Sequence, residues 1–205
     1  MAIPEFVLSK LPTHIRGRNV ELRANDPALW PLAKALTRRQ RAVLGANISW
    51  IDFNKAFSTP EHYEEWLRTC AKLEQKTMQR WYWIVDPSVQ RIAGLLIARV
   101  PENGNILVTG YEIFREYRRK GLASGANAAL ADLALKSGAI DYVCAETDPG
   151  NQPSAETLIK AGFREVAPGI CTTRLASEGK IVRRFMKTNN ARLRRWPLTF
   201  YMQPR

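Results

Sequence analysis

Cysteine and histidine are scarce in this 205-residue chain, with three of one and two of the other. Cys70, Cys144 and Cys171 are odd in number, far apart and in no C-x-x-C pair, which argues against a disulfide framework or a zinc ribbon. His14 and His62 are isolated from each other and from the cysteines, so no metal is expected. Long apolar runs are missing too: the longest, Ile92 to Ala98, is far too short to span a bilayer. Met1 to Lys10 lacks the apolar core and small-residue cleavage site of a signal peptide, so the expectation is a cytoplasmic protein with no membrane partner. Acidic residues are absent after Glu178, where eight basic residues occur.

What is present is the balance of an ordinary globular protein, 45% hydrophobic and 24% charged. A chain of this length buries enough surface to hold one domain without covalent staples. Its 31 Lys+Arg against 19 Asp+Glu make a net charge of +12, which points to an anionic partner. The eight basic residues after Glu178 leave only 23 minus 19, or +4, on the rest, so a uniformly basic nucleic-acid coat is not the reading.

Strand-like and helix-like stretches alternate, as in a mixed α/β domain. Val20 to Arg23 alternates apolar and polar. Asp26-Pro27 opens a helix, and Thr59-Pro60-Glu61 a second, whose Tyr63, Trp66, Leu67, Cys70 and Leu73 fall on one face. Between them, Arg38 to Ser58 has a poor pattern and is expected to be flexible. Trp81–Val85, Ile92–Val100 and Leu107–Phe114, separated by turn sequences, form an antiparallel meander. A helix starts at Leu122, a strand follows at Tyr142–Glu146, and a short helix at Ser154–Ala161 is closed by Gly162. Phe163 starts another strand, and Ile170–Leu175 and Ile181–Met186 flank a hairpin turn.

The basic turn Arg118-Arg119-Lys120-Gly121-Leu122-Ala123, between a strand and a helix, has what an anion site needs. Backbone N–H groups of a helix N-terminus are unpaired there, and Gly121 permits close approach. About thirty residues on comes Asn151-Gln152-Pro153-Ser154, then Leu158 and Gly162-Phe163. The pattern Arg118-x-x-Gly121-x-Ala123, after a strand reading Gly110-Tyr111-Glu112-Ile113, with this second motif, resembles the GNAT superfamily of acyl-CoA N-acyltransferases, and within it the branch that acetylates ribosomal-protein N-termini.

The resemblance implies a GNAT fold, a central mostly antiparallel mixed sheet of about seven strands with about four helices and two strands splayed at the coenzyme A site. It runs from residue 19 to 188, with residues 1–18 as a lead-in and 189–205 as a basic, aromatic extension. It implies acetyl-CoA as cosubstrate. Backbone groups of Arg119, Lys120, Gly121, Leu122, Ala123 and Ser124 would hold its pyrophosphate beside Arg118. Ile113 and Phe114 would meet the pantetheine arm, with Asn151 and Ser154 on its other side. Arg119 stands where many relatives have glycine and is expected to serve with a negative φ.

The implied reaction is direct attack of a neutral amine on the thioester, with a backbone N–H near Ile113 or Phe114 on the oxyanion. Glu112, on the strand leading to the thioester, is the candidate base, the alternative being a residue that orients the amine. The tyrosine acid of many relatives is replaced by Leu158, which leaves the general acid open. Cys144 reads as a buried inert thiol. Trp50 and Phe53 are candidate acceptor-binding residues by analogy. The acceptor segment carries Arg38, Arg39, Arg41 and Lys55 against Asp52 alone, which disfavours a polycation. Acceptors in view are a protein or peptide N-terminal amine, or a small-molecule amine. A further alternative is a GNAT scaffold that contacts RNA or the ribosome through its basic tail, and the same tail could instead make a homodimer.

Overall fold

Alternate residues of a strand point to opposite faces, and in the centre of this chain both faces are buried. Tyr82 and Ile84 enter one core, while Trp83 and Val85 enter another. That is why Trp81 to Val85 reads as a continuous apolar run rather than an alternating one. The computed structural model describes residues 8, 10–48, 51–101, 106–166 and 182–189.

Among the described residues, eight strands form one sheet in the order β1-β2-β3-β4-β5-β6-β8-β7. They are β1 (His14–Arg16), β2 (Glu21–Arg23), β3 (Gln79–Asp86), β4 (Arg91–Arg99), β5 (Ile106–Ile113), β6 (Tyr142–Thr147), β7 (Arg164–Val166) and β8 (Arg183–Lys187). All neighbours are antiparallel except β5 and β6. Helices α1 (Trp30–Lys34), α2 (Arg38–Asn47), α3 (Phe53–Ala56) and α4 (Pro60–Thr77) carry the residues packed on one face, and α5 (Leu122–Lys136) and α6 (Gln152–Lys160) those on the other. No described helix is long and apolar enough to cross a membrane.

Several expectations change. Arg38 to Ser58 holds two helices rather than an irregular segment. Thr37 and Gln40 form a reciprocal capping box that starts α2, and Asp52 caps α3 through the amides of Asn54 and Lys55. Thr37-x-x-Gln40 is a legible start signal that the sparse apolar pattern obscured. The amide of Gln40 also reaches Glu116, tying α2 to the turn after β5. Within the lead-in, β1 pairs with β2, and Leu8, Leu11 and Ile15 are in the core. Ile170 to Leu175 and nearly all of the extension lie outside the described residues.

The basic excess on the last strand is largely neutralised at home. Arg183 pairs with Glu165 at 2.7 Å, Arg184 with Glu146 at 2.8 Å and Lys187 with Asp132 at 2.7 Å. Arg184 and Glu146 are both buried, so each is held by the need to keep the other's charge compensated.

Candidate active site

The one parallel pair among the described strands opens the site. β5 and β6 are in register only over Ile106–Val108 with Tyr142–Cys144. Beyond Val108 the strands part, and the N–H and C=O groups of β5 on that side have no strand beside them. The Phe114 N–H donates to the Ala93 carbonyl at 2.9 Å. Because N–H directions alternate along an antiparallel strand, the Tyr111 and Ile113 N–H groups point away from β4, into the gap. Of the two amides expected to face an oxyanion, Phe114 is therefore already committed and Ile113 is the one directed correctly. Phe114 itself is buried in the opposite core and does not line the cleft.

The turn after β5 leads into α5. Arg119 has φ +65° and Gly121 φ +75°. The expected negative φ at Arg119 is overturned: the turn keeps the left-handed geometry that glycine adopts freely, and an arginine accepts a strain of about 1–2 kcal/mol to supply it. α5 begins with no side-chain cap. Its first three N–H groups, on Leu122, Ala123 and Ser124, thus lack a capping acceptor, and the Ser124 hydroxyl donates to the Gly121 carbonyl at 3.0 Å instead. This is a ready-made seat for an anion.

A cleft of about 880 Å³ joins this turn to the gap. Glu112, Ile113, Arg118, Arg119 and Gly121 to Ser124 line one side, and Asn151 and Ser154 the other. It adjoins a recess of about 420 Å³ between β5 and β6, which shares Tyr111, Asn151 and Ser154. Arg118 donates through Nε to the Ile113 carbonyl at 3.0 Å and through Nη2 to Glu112 at 3.2 Å. The Asn151 side chain accepts from the Ser154 amide at 3.2 Å, which caps α6.

This geometry is accompanied by a family match. The acetyltransferase (GNAT) domain family matches residues 23–164. The chain belongs to the GNAT acetyltransferase family. It is an acetyl-CoA-dependent N-acetyltransferase, as the sequence motifs implied. No curated protein matches the sequence. Among solved structures, this GNAT chain is similar to a ribosomal-protein-serine acetyltransferase of Vibrio cholerae, described as putative, at 18% identity and TM-score 0.58, over 85% of this chain and 97% of that one. A ribosomal-protein-S5-alanine acetyltransferase from Vibrio fischeri aligns at 20% identity and TM-score 0.60, over 88% and 98%. The microcin C7 self-immunity acetyltransferase MccE, in complex with acetyl-CoA and AMP, aligns at 15% identity and TM-score 0.60, over 88% and 99%.

The remaining sequence-derived residues divide in the GNAT fold. Lys120 does not line the cleft; its ammonium lies 5.1 Å from the centre of the Tyr117 ring. Phe53 is 3% exposed, its ring 5.3 Å from that of Phe57 and 6.3 Å from that of Trp66. It therefore belongs to an aromatic core with no face toward the cleft, while Trp50 lies outside the described residues. Cys144 is fully buried and disulfide-bonded rather than a free thiol.

Two sets of lining residues escaped the sequence reading. Tyr111 reaches across the gap, its hydroxyl 3.0 Å from that of Ser154. Period-two alternation along β5, which groups it with Thr109 and Ile113, is the signal for it. Pro153, Glu156, Thr157 and Lys160 form a stripe on α6 with helical spacing of three and four.

Proposed function

We propose that the protein acetylates the N-terminal α-amine of a protein or peptide, with Glu112 as base and the Ile113 N–H at the oxyanion. The observation that carries the coenzyme side of this reading is the continuity of the cleft from the uncapped start of α5 to the bare edge of β5. A diphosphate fits the first end, where N–H groups and the positive end of the helix dipole coincide. An extended pantetheine arm fits the second, where its amides replace the missing strand. In this arrangement Arg118, Arg119 and the amides of Gly121 to Ser124 hold the diphosphate, while Asn151 and Ser154 flank the arm.

Attack of the amine on the thioester carbonyl forms the C–N bond and an oxyanion. Collapse breaks the C–S bond, the amine proton passes to Glu112 or through water, and the thiolate leaves. An α-amine, with a pKa of about 8, is about one-tenth neutral at pH 7, whereas a lysine at about 10.4 is neutral only to a few parts in ten thousand and needs far more help. Glu112 shares an ion pair with Arg118 at 3.2 Å. With Leu158 in the position of the absent tyrosine, the Tyr111–Ser154 hydroxyl pair is a proton-bearing group that lines the gap. The similar structures described as ribosomal-protein acetyltransferases add support for a protein acceptor.

The test is thiol release from acetyl-CoA across N-terminal peptides, Nα-blocked lysine peptides and small amines, after calorimetric titration with CoA. The reading expects CoA binding and preferred turnover of peptides with free α-amines. No CoA binding would sink the enzyme reading, and turnover confined to small amines would sink the peptide acceptor.

A further inference from the structure

We propose that Asn19, at the tip of the β1–β2 hairpin, is a positioning residue for the diphosphate-binding turn, an inference that rests on the coenzyme A reading above. Asn19 lies about a hundred residues from that turn in sequence, yet its Nδ2 donates to the Lys120 carbonyl at 3.2 Å. The carboxamide lies along the flank of the first turn of α5. A Cβ on Gly121 would be 3.4 Å from Asn19 Nδ2, and a Cβ on Gly125 would be 2.5 Å from Asn19 Oδ1. Gly125 therefore leaves the space that Asn19 fills. Gly17 does the same for the hairpin backbone, since its Cβ would meet Val20 at 2.8 Å and Ala129 at 3.2 Å. The hairpin closes with the Gly17 N–H on the Val20 carbonyl at 2.8 Å, which holds Asn19 at the tip.

The physical need is specific to an anion site. Lys120 sits between two left-handed residues, Arg119 and Gly121. A peptide so flanked is held weakly by its own torsions, and reorientation of its carbonyl would turn a negative dipole toward the phosphates. Asn19 gives that carbonyl a donor on the side of the helix. The amides of Leu122, Ala123 and Ser124 remain unengaged by it and directed along the axis. Asn19 acts through the turn, without itself being required to touch the coenzyme.

Asn19→Ala, Asn19→Asp and Gly125→Ala are compared with wild type for CoA affinity by titration calorimetry. Turnover of acetyl-CoA is compared with that of S-acetylpantetheine, which lacks the diphosphate. Asn19→Ala is expected to weaken CoA binding about fivefold, the scale of one hydrogen bond, and Asn19→Asp more than tenfold, because it removes the donor and adds a like charge. Gly125→Ala displaces the Asn19 side chain while improving helix propensity, and a thermal melt of each variant separates loss of the contact from loss of the fold. The ratio of kcat/KM for acetyl-CoA over S-acetylpantetheine should fall in parallel. Wild-type CoA affinity in the variants, or equal losses on both donors, would overturn the role. Absence of CoA binding by the wild-type protein would instead overturn the function on which it rests.

Discussion

Arg118 holds the Glu112 carboxylate at 3.2 Å while its Nε holds the Ile113 carbonyl at 3.0 Å, so a single side chain fixes both the proposed base and the strand end that presents the oxyanion donor. Both partners are partly exposed, with Glu112 at 33% and Arg118 at 59%, and the pair adds little to stability. Its consequence is geometric. Glu112→Gln is expected to lower kcat about 100-fold, the usual range for a general base, with CoA affinity within about threefold. Steady-state kinetics beside calorimetry decide it; an unchanged kcat removes Glu112 from the chemistry.

Arg119→Gly relieves a left-handed arginine at φ +65°. The gain of about 1–2 kcal/mol is partly offset by the greater freedom of glycine in the unfolded chain. The net expectation is about 0.5–1 kcal/mol, or a rise in Tm of roughly 1–4 °C, measured by thermal unfolding. CoA affinity should fall at the same time through loss of a cation, so stability and binding move in opposite directions.

Gly94 and Gly45 are opposites. A Cβ on Gly94 would fall 2.0 Å from the backbone oxygen of Glu112, whereas one on Gly45 meets nothing within 4 Å. Gly94→Ala must push β4 and β5 apart beside Glu112, with a loss of about 1–3 kcal/mol and reduced kcat. Gly45→Ala, inside α2, is expected to stabilise by about 1 kcal/mol. Urea unfolding of both variants tests the pair.

Alkaline stability follows from acids that desolvation weakens, Tyr82 and Cys70 among them. Burial pushes the Tyr82 hydroxyl from 10.0 up to about 12, and the Cys70 thiol from 9.0 up to about 12. Both groups stay protonated in the folded state after they ionise in the unfolded one. Their contribution is therefore complete below pH 9 and is lost as pH rises from 9 through about 12. Tm should decline over that window. Native Cys70 should also react with iodoacetamide at pH 9 at least tenfold more slowly than in urea, read by peptide mass spectrometry.

Long, strongly patterned elements were legible in sequence. The meander β3-β4-β5, α4 with its Thr59-Pro60 start, and the strand, turn and helix order around Gly121 all follow from local periodicity and punctuation. α2 and α3 were missed because the few residues they bury, such as Leu44, Phe53 and Ala56, make no long apolar stripe; capping by Thr37 and Asp52 marks their starts. β1 was missed because three residues carry no usable period, and its identity as a strand depends on pairing with β2.

The sequence by itself determined the chemical inventory of this protein: a basic glycine-containing turn, a strand carrying Glu112 and a short helix after Asn151, in the order that the GNAT family requires. Tertiary structure alone decided what those groups meet. Whether Phe53 faces solvent or an aromatic core, whether the basic residues of β8 are free or paired, and that Asn19 braces the turn at Lys120 all depend on residues far apart in the chain. The reason is physical: periodicity and capping act within a few residues, whereas burial, charge compensation and the parting of β5 from β6 arise only when distant segments share one sheet.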